Sequence, residues 1–200
     1  TSNSWYPNGK LKAKSNYKNG YQEGLQQEFY ESGALKKQYT CSNGVVTAKY
    51  EIWYENGKLQ EVRNVNGDGY NHGLQEKWSE SGKKILQQNY MNGILAGESK
   101  RWYENGNLQD SGYYNSKGKK DGTWMYYYEN GNPKEMISYS DEKLHGPYAE
   151  YYPNGQLKFR GQYNFTQEDG KYEEFYENGQ KKSVGTYLNG KQINTWFYWD

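Results

Sequence analysis

The sequence predicts an all-β fold: an elongated, single-layer antiparallel sheet of tandem 24-residue β-hairpin repeats, twisted into a solenoid-like array. Three observations predict it. A turn of the form aromatic-Tyr-Glu-Asn-Gly recurs eight times, with its glycine at Gly9, Gly33, Gly57, Gly82, Gly106, Gly131, Gly155 and Gly179 and spacings of 24, 24, 25, 24, 25, 24 and 24. A second punctuation, Asn-Gly followed a few residues later by another glycine, lies between these turns. The composition joins 24 tyrosines and 24 glycines to only 11 Leu, 5 Ile, 5 Val and 5 Phe, so the core must be built from aromatic rings.

Each unit divides in order into strand, first turn, strand, second turn. The first turns read WYPNG, FYESG, WYENG, WSESG, WYENG, YYENG, YYPNG and FYENG. The clearest second turns are Asn19-Gly20 to Gly24, Asn92-Gly93 to Gly97 and Asn189-Gly190 to Asn194. Asn66-Gly67 to Gly73 is longer, later copies keep Gly122, Gly146 and Gly170, and Ala48 replaces the closing glycine once. The runs between turns are about eight residues, right for a strand and too short for a helix between such breakers. Asn-Gly between aromatic and β-branched residues is a strong hairpin signal. Residues 195–200 align with the first strand of a unit and form a capping strand, giving about 17 strands in a single repeat domain, 1–200.

Composition also bounds function. Long aliphatic stretches are missing, which argues against a helical bundle, a doubly wound enzyme and a membrane-spanning helix. With 25 basic and 24 acidic side chains the net charge is +1, so there is no electrostatic footprint for nucleic acid or an anionic membrane. Cys41 has no partner for a disulfide, and two histidines form no metal cluster; no cofactor is implied. The chain opens at Thr1 with no charged-then-apolar leader, as expected of a mature or trimmed form.

The units resemble the MORN-variant repeat, the bacterial relative of the membrane-occupation-and-recognition-nexus repeat. The motif appears as Trp53-Tyr54-Glu55-Asn56-Gly57-Lys58-Leu59, and the resemblance covers essentially the whole chain. Unit four departs most, with Ser79 in place of Tyr and Lys84 in place of Leu. The resemblance implies a bacterial protein without a catalytic motif, of a kind called antitoxin components of the YwqK type; placement outside the cytoplasm is favoured.

With Asn-Gly as a two-residue loop, Tyr54 opposes Leu59 and Trp53 opposes Gln60. The Tyr–Leu pairs then share a face with Tyr17, Cys41, Val65, Tyr90, Tyr114, Tyr139, Tyr163 and Tyr187, and this face is expected to be the packed one. The opposite row is Trp5, Phe29, Trp53, Trp78, Trp102, Tyr127, Tyr151 and Phe175, facing Lys12, Lys36, Gln60, Gln109, Lys134, Lys158 and Lys182. Two readings fit this row: a structural stack covered by lysine stems, or a binding ladder. A bulge in each hairpin would exchange the faces.

Candidate chemistry is sparse. Glu31, Glu55, Glu80, Glu104, Glu129 and Glu177 recur before the turns and read as partners in cross-strand ion pairs rather than catalytic carboxylates. His72 and His145 occupy equivalent loop sites three units apart, too far to share a metal. Cys41 fills an inward position with no His to activate it. The leading reading is a non-enzymatic protein–protein interaction scaffold, with Trp53, Trp78, Trp102, Tyr127 and Tyr151 as binding candidates and another protein as partner. The alternative is glycan or cell-wall binding through the same rings. Residues 66–86, with an irregular loop and an irregular unit, are the first choice for a specific contact.

Overall fold

The computed structural model describes residues 1–200, and the chain is all-β. It divides into two compact units, Thr1–Ala96 and Gly97–Asp200. The first holds β1 (Ser2–Trp5), β2 (Leu11–Ser15), β3 (Tyr17–Lys18), β4 (Tyr21–Gln22), β5 (Gly24–Phe29), β6 (Leu35–Ser42), β7 (Val45–Trp53), β8 (Leu59–Val65), β9 (Asn71–Trp78) and β10 (Lys84–Met91). β11 (Ile94–Trp102) leads into the second, with β12 (Leu108–Tyr114), β13 (Lys120–Tyr127), β14 (Pro133–Ser140), β15 (Lys143–Tyr151), β16 (Leu157–Asn164), β17 (Gln167–Glu168), β18 (Gly170–Phe175), β19 (Lys181–Leu188) and β20 (Lys191–Tyr198). Single residues, Asn16, Glu23 and Asp169, interrupt three runs; joining those pairs turns 20 strands into 17, the number the repeat predicts.

Within each unit, successive strands pair antiparallel in a meander that is not closed into a barrel. Two turn types alternate. The second turn is a two-residue loop with both residues left-handed, as at Asn43 (φ 48) and Gly44 (φ 82) between the paired residues Ser42 and Val45. Asn66–Tyr70 and Asn115–Lys119 form five-residue loops instead, and these account for the two 25-residue spacings.

The first turn is different from the sequence expectation. The Tyr54 amide donates to the Lys58 carbonyl (2.8 Å), the Gly57 amide donates to the Tyr54 carbonyl (2.9 Å), and only Gly57 is left-handed, at φ 82. This is the pattern of a type I turn closed by a glycine bulge. Asn56 holds it: its Oδ1 accepts from the Lys58 amide (2.9 Å), and its Nδ2 donates to the Glu80 carbonyl of the next repeat (3.1 Å).

That turn corrects the expected register. Tyr54 faces Lys58 across the loop, Trp53 pairs with Leu59, and Ile52 pairs with Glu61, so Gln60 is bulged out. The same shift recurs at Phe29–Leu35, Trp102–Leu108 and Tyr151–Leu157. Leu11, Leu35, Leu59, Leu108 and Leu157 therefore share the face of the Trp row, not that of the turn tyrosines. We call these the Leu face and the Tyr face.

The turn tyrosines tie neighbouring repeats together. Each hydroxyl donates to the carbonyl of a residue 23 or 24 positions on: Tyr6 to Phe29 (2.7 Å), Tyr30 to Trp53 (2.8 Å), Tyr54 to Trp78 (2.9 Å), Tyr103 to Tyr127 (2.8 Å), Tyr152 to Phe175 (3.0 Å). The bulged lysines, expected to cover the Trp row, lie over these rings: Lys12 over Tyr6, Lys36 over Tyr30, Lys134 over Tyr128 and Lys182 over Tyr176, at 5.5–5.9 Å. Ser79 lacks the phenol, and its hydroxyl meets Ser81 Oγ at 2.8 Å.

The Tyr face carries the ring packing. In the second unit Trp124 meets Tyr114 edge-on at 5.0 Å, Phe159 stacks on Tyr172 at 5.8 Å, and Trp196 meets Tyr187 at 5.0 Å. Burial pushes the Tyr172 phenol up to about 12. Trp124 lies flat over Gly112 and Trp196 over Gly185: a Cβ on either glycine would come within 2.1 Å of the indole. In the first unit, Gln26 stands at the equivalent position. It is 1% exposed, and its amide donates to the Asn16 carbonyl and accepts from the Asn16 amide.

Candidate functional site

The row proposed from sequence lies on the Leu face. Trp53, Trp78, Trp102, Tyr127 and Tyr151 are half-buried, whereas Trp5 is 59% exposed. Their cross-strand partners are Leu59, Lys84, Leu108, Pro133 and Leu157. Within either unit no two rings of the row stack on one another; stacking belongs to the Tyr face. Lys84, at a leucine position, reaches over the Trp78 ring at 5.7 Å and pairs with Glu76.

In the second unit the row borders a cleft of about 440 Å³ lined by Met136, Pro147, Ala149, Tyr151, Leu157, Arg160, Lys171 and Glu173, among others. Its apolar wall comes from the Leu face of β14–β16. Its polar wall centres on Glu173, 3% exposed, whose carboxylate takes Arg160 at 2.6 Å, Lys171 at 2.9 Å and Lys181 at 3.5 Å. Burial alone would raise the Glu173 pKa; the hydrogen bonds and charges of Lys171 and Arg160 outweigh it and hold the carboxyl at about 2.

The other sequence candidates fall into plainer roles. Glu31, Glu55, Glu80, Glu129 and Glu177 are exposed and form no ion pairs, contrary to expectation, because the five-residue loop points them outward. Several serve through their backbone: the Glu31, Glu129 and Glu177 carbonyls accept from Asn8, Asn105 and Asn154. Cys41 is 2% exposed beside Gln22, and burial pushes its thiol up, the reverse of an activated nucleophile. His72 Nδ1 lies 3.2 Å from Asn92 Oδ1, and His145 stacks on Phe165 at 4.5 Å. No three His, Cys, Asp or Glu side chains come together as a metal site would require. Within residues 66–86, Gln75 is buried with its amide donating to the Asn64 carbonyl at 2.7 Å.

Sequence reasoning missed one positional series: Gln26, Tyr50, Gln75, Ser99, Trp124, Tyr148, Tyr172 and Trp196 occupy equivalent places on the Tyr face. Its residue type mixes polar and aromatic residues up to Ser99 and is aromatic from Trp124 on, which hides it from a search for one recurring letter. The 24-residue spacing of Trp124, Tyr148, Tyr172 and Trp196 was the available signal.

The fold is a β-hairpin repeat array with a ring-bearing face and a charged cleft. The chain matches the MORN repeat variant eight times, at residues 1–19, 22–41, 47–66, 71–92, 95–116, 120–141, 144–164 and 168–189, and belongs to that family. The family is one of binding repeats, associated with protein and membrane binding, not a catalytic one. No curated protein matches the chain.

Proposed function

We propose that the chain is a non-enzymatic scaffold that binds another protein through its Leu face, with Trp53, Trp78, Trp102, Tyr127 and Tyr151 as contact residues. The observation that carries this reading is the cleft beside Tyr151, where half-buried rings and aliphatic side chains meet the cation-rimmed Glu173. Apolar cores with charged rims are what protein partners dock against. Contacts spread over successive units suit a repeat array.

The resemblance to antitoxin components supports a narrower form, in which the partner is a toxin domain neutralised by direct contact. The test is capture on the immobilised chain from the source organism, beside the variants Trp102→Ala and Tyr151→Ala. A stoichiometric protein retained by the parent and reduced by the variants supports the scaffold. No stoichiometric protein, or retention indifferent to both variants, counts against it. For the toxin form, the captured protein expressed alone must arrest growth and the chain must relieve it.

The ring of Tyr151 at the cleft also suits a sugar. Intrinsic fluorescence that changes with cell-wall glycans and not with a protein partner would favour that second reading.

A further inference from the structure

The Leu face of the second unit has a feature that its counterpart in the first unit lacks. Cross-strand pairing places Met136, Ala149, Arg160, Glu173, Val184 and Phe197 in one line running across β14, β15, β16, β18, β19 and β20. Two clefts lie along it, about 440 Å³ on the Met136 side and about 450 Å³ on the Phe197 side, and Lys171 lines both. Glu173 is the only carboxylate among the residues lining them, against Arg160 and Lys171. Those two side chains are 59% and 66% exposed, so each keeps donors free for a second anion while holding Glu173. In the first unit the equivalent line contains Gln27, Gln38 and Glu51, and these satisfy one another: Gln27 donates to Gln38 at 3.3 Å and Gln38 to Glu51 at 2.8 Å.

We propose that this line is a track for an extended acidic peptide segment of a partner protein, patterned apolar-x-x-acidic-x-x-apolar. The inference rests on the scaffold reading above and names the chemistry that the scaffold recognises. The partner carboxylate sits between Arg160 and Lys171, completing the charge that Glu173 alone leaves unbalanced. Strands are about 4.8 Å apart, so Met136 and Phe197 each lie roughly 10–12 Å from that centre, the reach of about three residues in the extended polyproline II conformation, in which every third side chain returns to the same face. One apolar side chain enters beside Met136 and Ala149, the other beside Val184 and Phe197. A purely polar anion would leave both ends unfilled.

The test is fluorescence polarisation with the full chain at low salt and the labelled peptide Leu-Ser-Ser-Glu-Ser-Ser-Leu. The expected result is saturable binding, weakened about tenfold when the peptide Glu becomes Gln, and similarly when both Leu become Ser. Lys171→Ala, confirmed folded by circular dichroism, weakens binding about fivefold, whereas Glu173→Gln, which removes the competing internal carboxylate, tightens it. Equal affinity for the Glu and Gln peptides overturns the proposal without any protein variant being involved. Lack of saturable binding overturns it too, as does a folded Lys171→Ala chain that binds like the parent. Oligogalacturonate displacing the peptide at equal concentration transfers the track to acidic glycans and overturns the peptide assignment. Partner capture that persists in Lys171→Ala while the peptide fails to bind sinks the track alone; absence of any captured partner sinks the scaffold itself.

Discussion

The Tyr128 hydroxyl donates to the backbone carbonyl of Tyr151 at 2.9 Å, 23 residues further along the chain, while Lys134 covers the Tyr128 ring at 5.9 Å. One side chain thus closes its own turn and fastens it to the next repeat. The conserved geometry of the turn along the chain follows from this double duty: the bulge frees the tyrosine from strand pairing and lets its phenol reach across.

Tyr128→Phe keeps the ring under Lys134 and removes only the hydroxyl. The expected cost is about 1 kcal/mol, because the Tyr151 carbonyl loses its side-chain donor. Urea denaturation of the variant checks it, and an unchanged midpoint would show that water replaces the phenol at no cost. Tyr128→Ala also loses ring burial and should cost roughly 2–4 kcal/mol.

Gly112→Ala should be severely destabilising for a reason unrelated to backbone freedom. Gly112 does not have a positive φ, but its added Cβ would sit 2.1 Å from the Trp124 ring. Overpacking of this kind costs about 1–3 kcal/mol or more. Gly67→Ala is the control, since Gly67 has nothing within 4 Å of a Cβ and no positive φ. Thermal melts in which the two alanines behave alike would refute the flat packing of Trp124 on Gly112.

Stability should fall as pH drops through the range of Glu173. Its folded pKa, about 2, lies below the ordinary value of 4.5, so the folded state binds this proton less readily than the unfolded chain. The stability contributed by the ionised carboxylate is full above about 4.5 and is lost between about 4.5 and 2. Denaturation midpoints measured from pH 6 to pH 2 for the parent and Glu173→Gln should differ in slope within that window. Parallel curves would remove Glu173 from the account of acid sensitivity.

The second turn between β16 and β17 is made of two poor residues for its conformation. Phe165 and Thr166 sit at φ 47 and 75, where the equivalent turn has Asn43-Gly44. A β-branched residue in the left-handed region is strained, and Thr166→Gly should stabilise by about 1 kcal/mol. Phe165 is left in place because it stacks on His145. A higher melting temperature for Thr166→Gly is the expected readout, and a lower one would mean that the Thr166 side chain contributes more than its strain removes.

Much of this molecule is legible in its sequence. The glycine spacing located all eight first turns, Asn-Gly marked second turns such as Asn19-Gly20, Asn92-Gly93 and Asn189-Gly190, and turns such as Phe165-Thr166 carried only the later closing glycine as a signal. Face assignment was only half legible. Tyr114, Tyr139, Tyr163 and Tyr187 do belong to the packed face opposite Trp102 and Tyr151, yet Leu108 and Leu157 changed sides. The charged cleft was not legible at all, since Arg160, Lys171, Glu173 and Lys181 have no shared spacing that marks them.

The sequence by itself determined the strand–turn rhythm, because local turn chemistry and a 24-residue period are written in neighbouring letters. Only the tertiary structure decided which side chains share a face and which charges meet. Asn-Gly is compatible with a two-residue loop or a bulged five-residue one, and one inserted residue reverses every side chain beyond it. In Asn43-Gly44 both residues are left-handed; in Asn56-Gly57 only the glycine is, because Asn56 is engaged by Lys58 and by the carbonyl of Glu80, a residue 24 positions away. That choice is made by a contact between repeats, and it sets Trp53 against Leu59.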